Sequence, residues 1–336
     1  MASILFLILG FHKPSSKKRI LCSLDSLRSR GHTVDAIPIP LSFPGRMALL
    51  PVVRRADLVV LQKKLLNRCQ LRFFCLTNPN LVFDLDDAVM FHEVERGEPV
   101  QGKYFQRFVR TVKSCRGVIA GNEYLAEFAR AVFTGGREGS GRVTVLPTPV
   151  DTDLLRPKTF EKALDRVTLG WLGTKGNLVH LRLIERALST VLTRNPEATF
   201  KVVSDANPVH FQCPHLFEPW NQTGENDMLK NFDIGLMPLE DNLWTRGKGG
   251  YKLLQYMAAG TASVASPVGI NGEIIDHGKT GFLAETEEQW VEILTRLVRS
   301  PELRRKMGEA AREKVEAIYS LQAYNRRLAT FLERFL

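Results

Sequence analysis

Short apolar runs alternate along the chain with longer stretches in which apolar residues recur at helical spacing. The runs predict buried strands at residues 4–9, 33–37, 57–61, 81–84, 117–120, 143–146, 167–172, 199–203, 233–237 and 263–266. The helical spacing predicts helices at residues 19–30, 62–75, 102–114, 122–133, 178–194, 250–259, 286–299, 301–318 and 321–336. Apolar strands separated by helices indicate parallel sheets that are covered on both faces.

The alternation is interrupted once, by a polar stretch that contains Pro147, Pro149 and Pro157. The sequence therefore predicts an α/β protein of two Rossmann-like doubly wound domains that face each other across a cleft. We place the first domain at residues 1–155, the second at 165–318, and a last helix at 319–336 that returns to the first domain. Ligands bind such sheets beyond the carboxyl ends of the strands, so the cleft is the expected site.

Composition adds an uneven distribution of charge. The 336 residues are 44% hydrophobic and 24% charged, which excludes a disordered or collagen-like chain. The net charge of +10 comes from residues 1–80, which hold 13 Lys and Arg against 3 Asp and Glu. This region is either a dispersed basic surface or a surface that faces an anionic partner. Nucleic acid, acidic lipid and a phosphorylated acceptor are all compatible with the charge alone.

Cysteine usage and hydropathy point to the cytoplasm. The five cysteines are scattered and form no Cys-x-x-Cys pair, which favours a reducing compartment and predicts neither a disulfide framework nor a zinc ribbon. The apolar stretch at residues 1–10 lacks the charged leader and cleavage site of a signal peptide. No apolar run approaches the ~20 residues that span a bilayer.

Candidate chemistry concentrates in a glycine-rich segment that follows the strand at 233–237 and begins the next helix. Its glycines predict exposed backbone N–H groups at a helix start, which is a natural anion site. Three cations and a glutamine accompany them, a combination suited to a diphosphate, although a loop with a solvated basic rim is the alternative. The residues are Arg246, Gly247, Lys248, Gly249, Gly250, Lys252 and Gln255.

Around this segment, several motifs follow one another in a recognisable order. They lie at residues 233–239, 244–250, 253–260, 264–269, 273–283 and 301–308, followed by Ala311 and Arg312. The run resembles the carboxy-terminal domain of glycosyltransferase family 4, over about residues 165–336. The resemblance implies the GT-B fold and transfer of a hexose-like sugar from a nucleotide-diphosphate sugar with retention of configuration, as in polysaccharide biosynthesis. It places the acceptor in the first domain and the donor in the second, and it implies neither a metal nor another cofactor.

The sequence departs from the family's usual pair of glutamates. Gly247 stands where the first is expected and Gln255 where the second binds the nucleotide ribose. The resemblance implies that Arg246 and Lys248 stabilise the leaving diphosphate and that Gln255 still accepts a hydrogen bond from the ribose. Other positions are implied on the donor side: Gly173, Lys175, Gly249, Gly250, Lys252, and Glu225 near the base.

A cluster of carboxylates follows the strand at 81–84. Asp84, Asp86 and Asp87 resemble the nucleophile motif of haloacid-dehalogenase-like phosphatases and also the Asp-x-Asp metal motif of the other glycosyltransferase fold. A third interpretation places Asp86 and Asp87 in the cleft as catalytic residues that face a sugar, and we adopt it. A purely structural cap is the remaining alternative.

Acceptor-side candidates are Lys13 and Arg19, in the loop after the first strand, and His92. We expect a glycan, a lipid-linked molecule or a small molecule as acceptor, and no nucleic-acid partner. The basic region predicts peripheral binding to an anionic membrane on its inner face, through the loop at 13–19 and through Arg54, Arg55, Lys63 and Lys64. The alternatives are a hydrolase or epimerase acting on a nucleotide sugar or phosphate ester, and an inactive module that binds a nucleotide sugar.

Overall fold

The computed structural model describes residues 1–91, 100–133, 141–158, 166–221 and 224–336. Within them, the chain forms two compact units, each built on a six-stranded parallel sheet. Unit 1 contains Met1–Pro149, Asn242–Gly249 and Leu321–Leu336, and unit 2 contains Val150–Asp241 and Gly250–Ser320. The predicted α/β class, with two Rossmann-like sheets, is confirmed.

The strands follow the predicted order, and the structure adds two short ones. They are β1 (Ser3–Ile8), β2 (Thr33–Pro38), β3 (Leu58–Gln62), β4 (Leu81–Leu85), β5 (Gly117–Ala120), β6 (Val143–Val145), β7 (Val167–Gly173), β8 (Ala198–Ser204), β9 (Leu216–Pro219), β10 (Ile234–Met237), β11 (Ala262–Ala265) and β12 (Phe282–Leu283). The sheet of unit 1 has the order β2-β1-β3-β4-β5-β6, and that of unit 2 has the order β12-β11-β10-β7-β8-β9. Every residue of β3, β4 and β5 is buried, as expected of strands with packed layers on both faces.

Helices connect the strands. They are α1 (Pro14–Arg19), α2 (Leu24–Ser29), α3 (Phe43–Met47), α4 (Leu50–Arg55), α5 (Arg68–Thr77), α6 (Lys103–Ser114), α7 (Glu123–Phe133), α8 (Glu185–Arg194), α9 (Glu225–Lys230), α10 (Tyr251–Ala258), α11 (Asn271–Ile274), α12 (Glu287–Arg299), α13 (Pro301–Lys314) and α14 (Leu321–Glu333). A 3₁₀ segment at Lys175–Ile184 precedes α8, and a π-helical turn at Val315–Tyr319 follows α13. None of these helices is both long enough and apolar enough to cross a membrane.

The stretch at 62–75, predicted as one helix, has a different structure. Gln62 ends β3, and Lys63 adopts a left-handed backbone with φ 57° that turns the chain away from the strand. The helix begins at Arg68, where Asn67 and Gln70 form a reciprocal capping box. The apolar positions of this stretch therefore serve two elements rather than one.

The last helix belongs to unit 1. Tyr324, Leu328, Phe331 and Leu332 of α14 pack in one hydrophobic cluster with residues of β1, β3 and β4. Phe335 continues this contact so closely that a Cβ on Gly117 would lie 2.5 Å from its ring. The end of the chain thus covers one face of the sheet that the beginning of the chain forms.

Two segments lie in a different unit from the one that the predicted boundaries give. The segment after Val150 belongs to unit 2, where the Val150 N–H donates to the Tyr319 carbonyl at 3.0 Å and Arg312 Nη1 donates to the Leu155 carbonyl at 2.6 Å. Asn242–Gly249 belongs to unit 1 because Leu243 and Trp244 pack against its hydrophobic core.

Arg19 is not the acceptor-facing cation that its loop position predicts. Its side chain is fully buried, and Nε donates to Asp84 Oδ1 at 2.8 Å while Nη1 donates to the Leu146 carbonyl at 2.6 Å. Burial alone would lower the pKa of Arg19, but the Asp84 carboxylate raises it above its ordinary value. Asp84, equally buried, is therefore the structural partner of this guanidinium.

We expect Asp84→Asn to lower the free energy of unfolding of unit 1 by about 3–5 kcal/mol, because it leaves Arg19 buried without its counter-charge. Asp25→Asn is the matched control, since Asp25 forms a 2.9 Å ion pair with Arg28 but remains 95% exposed. Such surface pairs contribute ~1 kcal/mol or less. Urea denaturation of both variants measures the difference, and equal midpoints would contradict the structural role of the buried pair.

Candidate functional site

The carboxyl ends of β3 and β4 bring a lysine between two carboxylates. Lys63 Nζ lies 3.3 Å from Asp86 Oδ1 and also forms an ion pair with Asp87 Oδ2. The left-handed backbone of Lys63 costs about 1–3 kcal/mol in a residue with a side chain, and strain of this kind gathers at functional sites. The charge pattern predicts Lys63 at a membrane surface, whereas the structure places it with the predicted catalytic aspartates.

This cluster has one cation for two acids. Burial would lower the pKa of Lys63, but Asp86 and Asp87 raise it, so the lysine stays charged. Loss of hydration raises the pKa of Asp87 above its ordinary value, with a further rise from Asp86 and an opposing effect of Lys63. Asp86 Oδ1 is buried and, apart from its 3.3 Å ion pair with Lys63, has no hydrogen-bond partner within the described part of the chain. The cluster therefore has spare capacity to accept a hydrogen bond.

The basic loop at 242–249 is fixed to the same unit by Asn122. The buried Asn122 amide donates to the carbonyls of Arg246 and Lys248, both at 3.1 Å, while its oxygen accepts from the Leu125 N–H at 2.9 Å. Asn122 is not among the site residues predicted from the sequence. Its signal was an asparagine at the junction between an apolar strand and a helix, where such residues cap helices.

Gly247 brings this loop against the acidic cluster. A Cβ on Gly247 would lie 2.5 Å from Ala88 Cβ and 2.7 Å from the Ala88 backbone nitrogen. The backbone at Ala88 cannot retreat as a flexible side chain would, so this position excludes a glutamate. The contact brings the two predicted catalytic sets together, and the charge of Lys248 acts to lower the pKa of Asp87.

The backbone N–H groups of this loop differ in whether they have a hydrogen-bond partner. This corrects the expectation that all its glycines expose their N–H groups. The N–H groups of Arg246, Gly247 and Lys248 donate to carbonyls inside the loop at 3.0–3.1 Å, so Gly247 presents no free amide. Those of Gly249 and Gly250 make no hydrogen bond to a described residue. Gly250 has φ 62° and begins α10, while a Cβ on Gly249 would meet open space. Two amides at the amino end of α10 are therefore without a partner in the described part of the chain.

In unit 2, Lys252 on α10 meets the carboxyl end of β7. Its Nζ lies 4.4 Å from the centre of the Trp171 ring, a cation–π contact. A Cβ on Gly173 would come within 2.7 Å of the same Nζ. Gly173 and Lys252, both predicted on the donor side, are thus neighbours.

Gln255 and Glu225, the other donor-side pair, are also in contact. Gln255 is buried, and its Nε2 donates to Glu225 Oε1 at 2.6 Å. Trp220 Nε1 donates to the other carboxylate oxygen at 2.8 Å. A carboxylate on α9 therefore lies beside the side chain of Gln255.

The remaining candidates lie apart from these contacts. Lys175 is exposed, and its backbone N–H donates to Asp205 Oδ1 at 2.5 Å. Lys13 is exposed at the start of α1, and His92 lies outside the described residues. Within the described ranges, no three His, Cys, Asp or Glu side chains are grouped as a metal site would require.

One part of the chain matches a known family. Residues 221–314, which include Glu225, the glycine-rich segment and Gln255, match the family model described as "Glycosyl transferases group 1". No curated protein sequence matches the chain significantly.

Solved structures match over the whole chain. HepE from Anabaena, in complex with UDP and glucose, has a TM-score of 0.72 at 15% identity over 99% of this chain and 100% of its own. A glycosyltransferase from Rickettsia africae gives 0.76 at 15% identity over 99% and 98%. Sucrose-phosphate synthase from Thermosynechococcus elongatus gives 0.69 at 12% identity, over 99% of each chain. This chain has the GT-B fold. At identities of 12–15%, the likeness concerns the fold.

The contact between Gln255 and Glu225 generates a reciprocal test. Gln255→Glu removes the N–H donor of this 2.6 Å hydrogen bond and places a second carboxylate against Glu225. We therefore expect the free energy of unfolding to fall by about 2 kcal/mol. Adding Glu225→Gln re-forms the pair in reverse and should recover most of that loss. Chemical denaturation of the two single variants and the double variant measures the coupling. A double variant no more stable than Gln255→Glu would refute the pairing.

Proposed function

We propose that this protein is a retaining glycosyltransferase that moves a sugar from a nucleotide-diphosphate sugar to an acceptor. The observation that carries the proposal is the amino end of α10, where the N–H groups of Gly249 and Gly250 have no hydrogen-bond partner among the described residues and Lys252 follows in the first turn. A helix start with free amides and a cation suits a diphosphate. The family-model match over this segment supports the assignment, as do neighbours solved with UDP and UDP-glucose.

Unit 2 supplies the donor site in this proposal. Lys252, held over Trp171 beside Gly173, lies where a phosphate would meet a positive charge at the carboxyl end of β7. Gln255 and Glu225 would bind the ribose, with Glu225 providing the carboxylate that the family usually has at the Gln255 position. Gly249 leaves room for the approach of a ligand, because a Cβ there would meet open space.

The chemistry we propose needs no metal. The bond between the anomeric carbon and the diphosphate oxygen breaks while the acceptor oxygen bonds to the same face of the sugar. The acceptor proton passes to the departing diphosphate, whose growing charge is stabilised by Arg246 and Lys248. In unit 1, Asp86 and Asp87 would accept hydrogen bonds from sugar hydroxyls, with Lys63 fixing their positions.

The acceptor in this proposal is a glycan or a lipid-linked molecule, and the site of action is the cytoplasmic face of a membrane. The surplus of cations in the first 80 residues supports the proposal that unit 1 lies against an anionic surface. A neutral glycan in solution would not require that surplus.

A donor screen tests the function. Thermal shifts with UDP, GDP, ADP and dTDP should single out one nucleotide, because a ligand that binds the folded state stabilises it. Turnover of the matching sugar nucleotides is then followed with and without acceptors, in the presence of a chelator. We expect acceptor-dependent transfer that persists without free metal, with a product of the donor's anomeric configuration by NMR. Release of sugar to water alone would indicate a hydrolase, and binding without turnover would indicate an inactive module.

Lys248→Ala tests the charge on the leaving group. We expect kcat to fall roughly 30- to 150-fold, as for loss of one preorganised partner worth ~2–3 kcal/mol in the transition state. Lys306→Ala is the control, since Lys306 is a 68% exposed lysine on α13. Steady-state kinetics and melting temperatures of both variants separate catalysis from stability. Unchanged kcat in Lys248→Ala would remove Lys248 from the mechanism.

A further inference from the structure

Three helices of unit 1 present apolar side chains that no part of the described chain covers. Leu41 and Phe43 lie at α3, Val52 lies on α4, and Phe73 and Leu76 lie on α5. Leu41 remains 88% exposed and Leu76 72% exposed. We call this set, together with the arginines described below, the α3–α5 surface. It has no role in the chemistry proposed above.

The exposure follows from how α5 packs. Its inner side chains Leu71 and Phe74 are buried in the core of unit 1. Arg46 of α3 donates to Gln70 Oε1 at 2.8 Å, and Asn78 donates to the Val53 carbonyl beside it at 3.0 Å. Both ends of α5 are therefore tied to its neighbouring helices. Phe73 and Leu76 are on the exposed side of this helix, which contacts both α3 and α4.

Four arginines share the surface. Arg54 and Arg55 end α4, and Arg68 and Arg72 lie on α5, all exposed. None of their guanidinium groups has a hydrogen bond or ion pair with the described residues. Asp57 is the single acid in the sequence between residues 36 and 83, and its carboxylate accepts from the Ser3 N–H at 2.7 Å. Among the residues that the structure describes, the charge of this surface is therefore uncompensated.

The combination identifies the partner's chemistry. A nucleic acid would pair with the arginines but leave Leu41 and Leu76 in water. An anionic bilayer satisfies both sets, because arginines contact the phosphates at the level of the head groups while apolar side chains enter the acyl boundary below them. We propose that the α3–α5 surface docks unit 1 on an anionic lipid bilayer. This inference rests on the membrane location in the proposed function and assigns it to specific residues.

The structure also removes two residues from the surface that the sequence predicted. Arg19 is buried against Asp84, and Lys63 is paired with Asp86 and Asp87, so neither is available to lipid. The exposed apolar residues of the α3–α5 surface, which the charge pattern does not predict, belong to the docking surface instead.

The test is sedimentation with vesicles of phosphatidylcholine alone or with 30% phosphatidylglycerol. We expect the protein to bind the anionic vesicles in low salt and to be released at high ionic strength. Each arginine changed to glutamine should weaken partitioning roughly fivefold. Phe73→Ser with Leu76→Ser should weaken it by about tenfold or more, even in low salt.

Matched controls come from unit 2. Val179 and Leu183 are 56% and 51% exposed, with exposed Arg182 and Arg186 beside them. Val179→Ser with Leu183→Ser, and Arg182→Gln with Arg186→Gln, should leave vesicle binding unchanged.

Three results would overturn the inference. They are failure of the unaltered protein to bind anionic vesicles, equal losses in the unit 2 controls, and preferential binding to an acidic polypeptide such as polyglutamate. Nucleotide binding in solution, measured by calorimetry on the same variants, is the independent readout. If a variant binds nucleotide normally but no longer binds vesicles, the altered residues act in membrane docking alone. If the unaltered protein binds no nucleotide, the result counts against the proposed function.

Discussion

The buried ion pair between Arg19 and Asp84 is the constraint around which unit 1 is organised. One guanidinium joins the end of α1 to the carboxylate on β4 and to the carbonyl of Leu146 after β6, and it lies 5.8 Å from the ring of Tyr324 on α14. A fully buried charge tolerates no loss of partner, so these elements keep fixed positions relative to one another. The next carboxylates along the same segment, Asp86 and Asp87, are thereby held beside Lys63.

Most of the fold could be predicted from periodicity, because strands buried on both faces are apolar throughout. Gly117–Ala120 was predicted at its observed bounds, and most other strands within one or two residues. The strands β9 and β12 were missed because β9 is largely exposed and β12 has two residues, so neither produces an apolar run. The division between units was harder to predict, since the assignment of Asn242–Gly249 depends on where Leu243 and Trp244 pack, which periodicity does not encode.

The candidate site was predictable in its residue types but not in its pairings. The sequence places cations and glycines before α10 and carboxylates after β4, yet it does not reveal that Gly247 rests on Ala88. That contact gives a physical reason for the glycine at this position. A glutamine at position 255 is explained in a similar way, because its amide donates a hydrogen bond to Glu225. Both residues are thus explained by a neighbour in space, a relation that becomes visible once distances are known. Arg19, by contrast, was misassigned because a charged residue in a loop-like sequence gives no sign of burial.

The composition of unit 1 from three separate stretches of chain has a consequence for biosynthesis. The face of its sheet formed by β1, β3 and β4 is covered by α14, whose residues leave the ribosome after those of the sheet and of unit 2. Until then the apolar side chains on that face stay in contact with water or with chaperones, whereas the stretches that make up unit 2 are already complete. Folding of the amino-terminal half is therefore expected to finish after that of the carboxy-terminal half, the reverse of the order of translation.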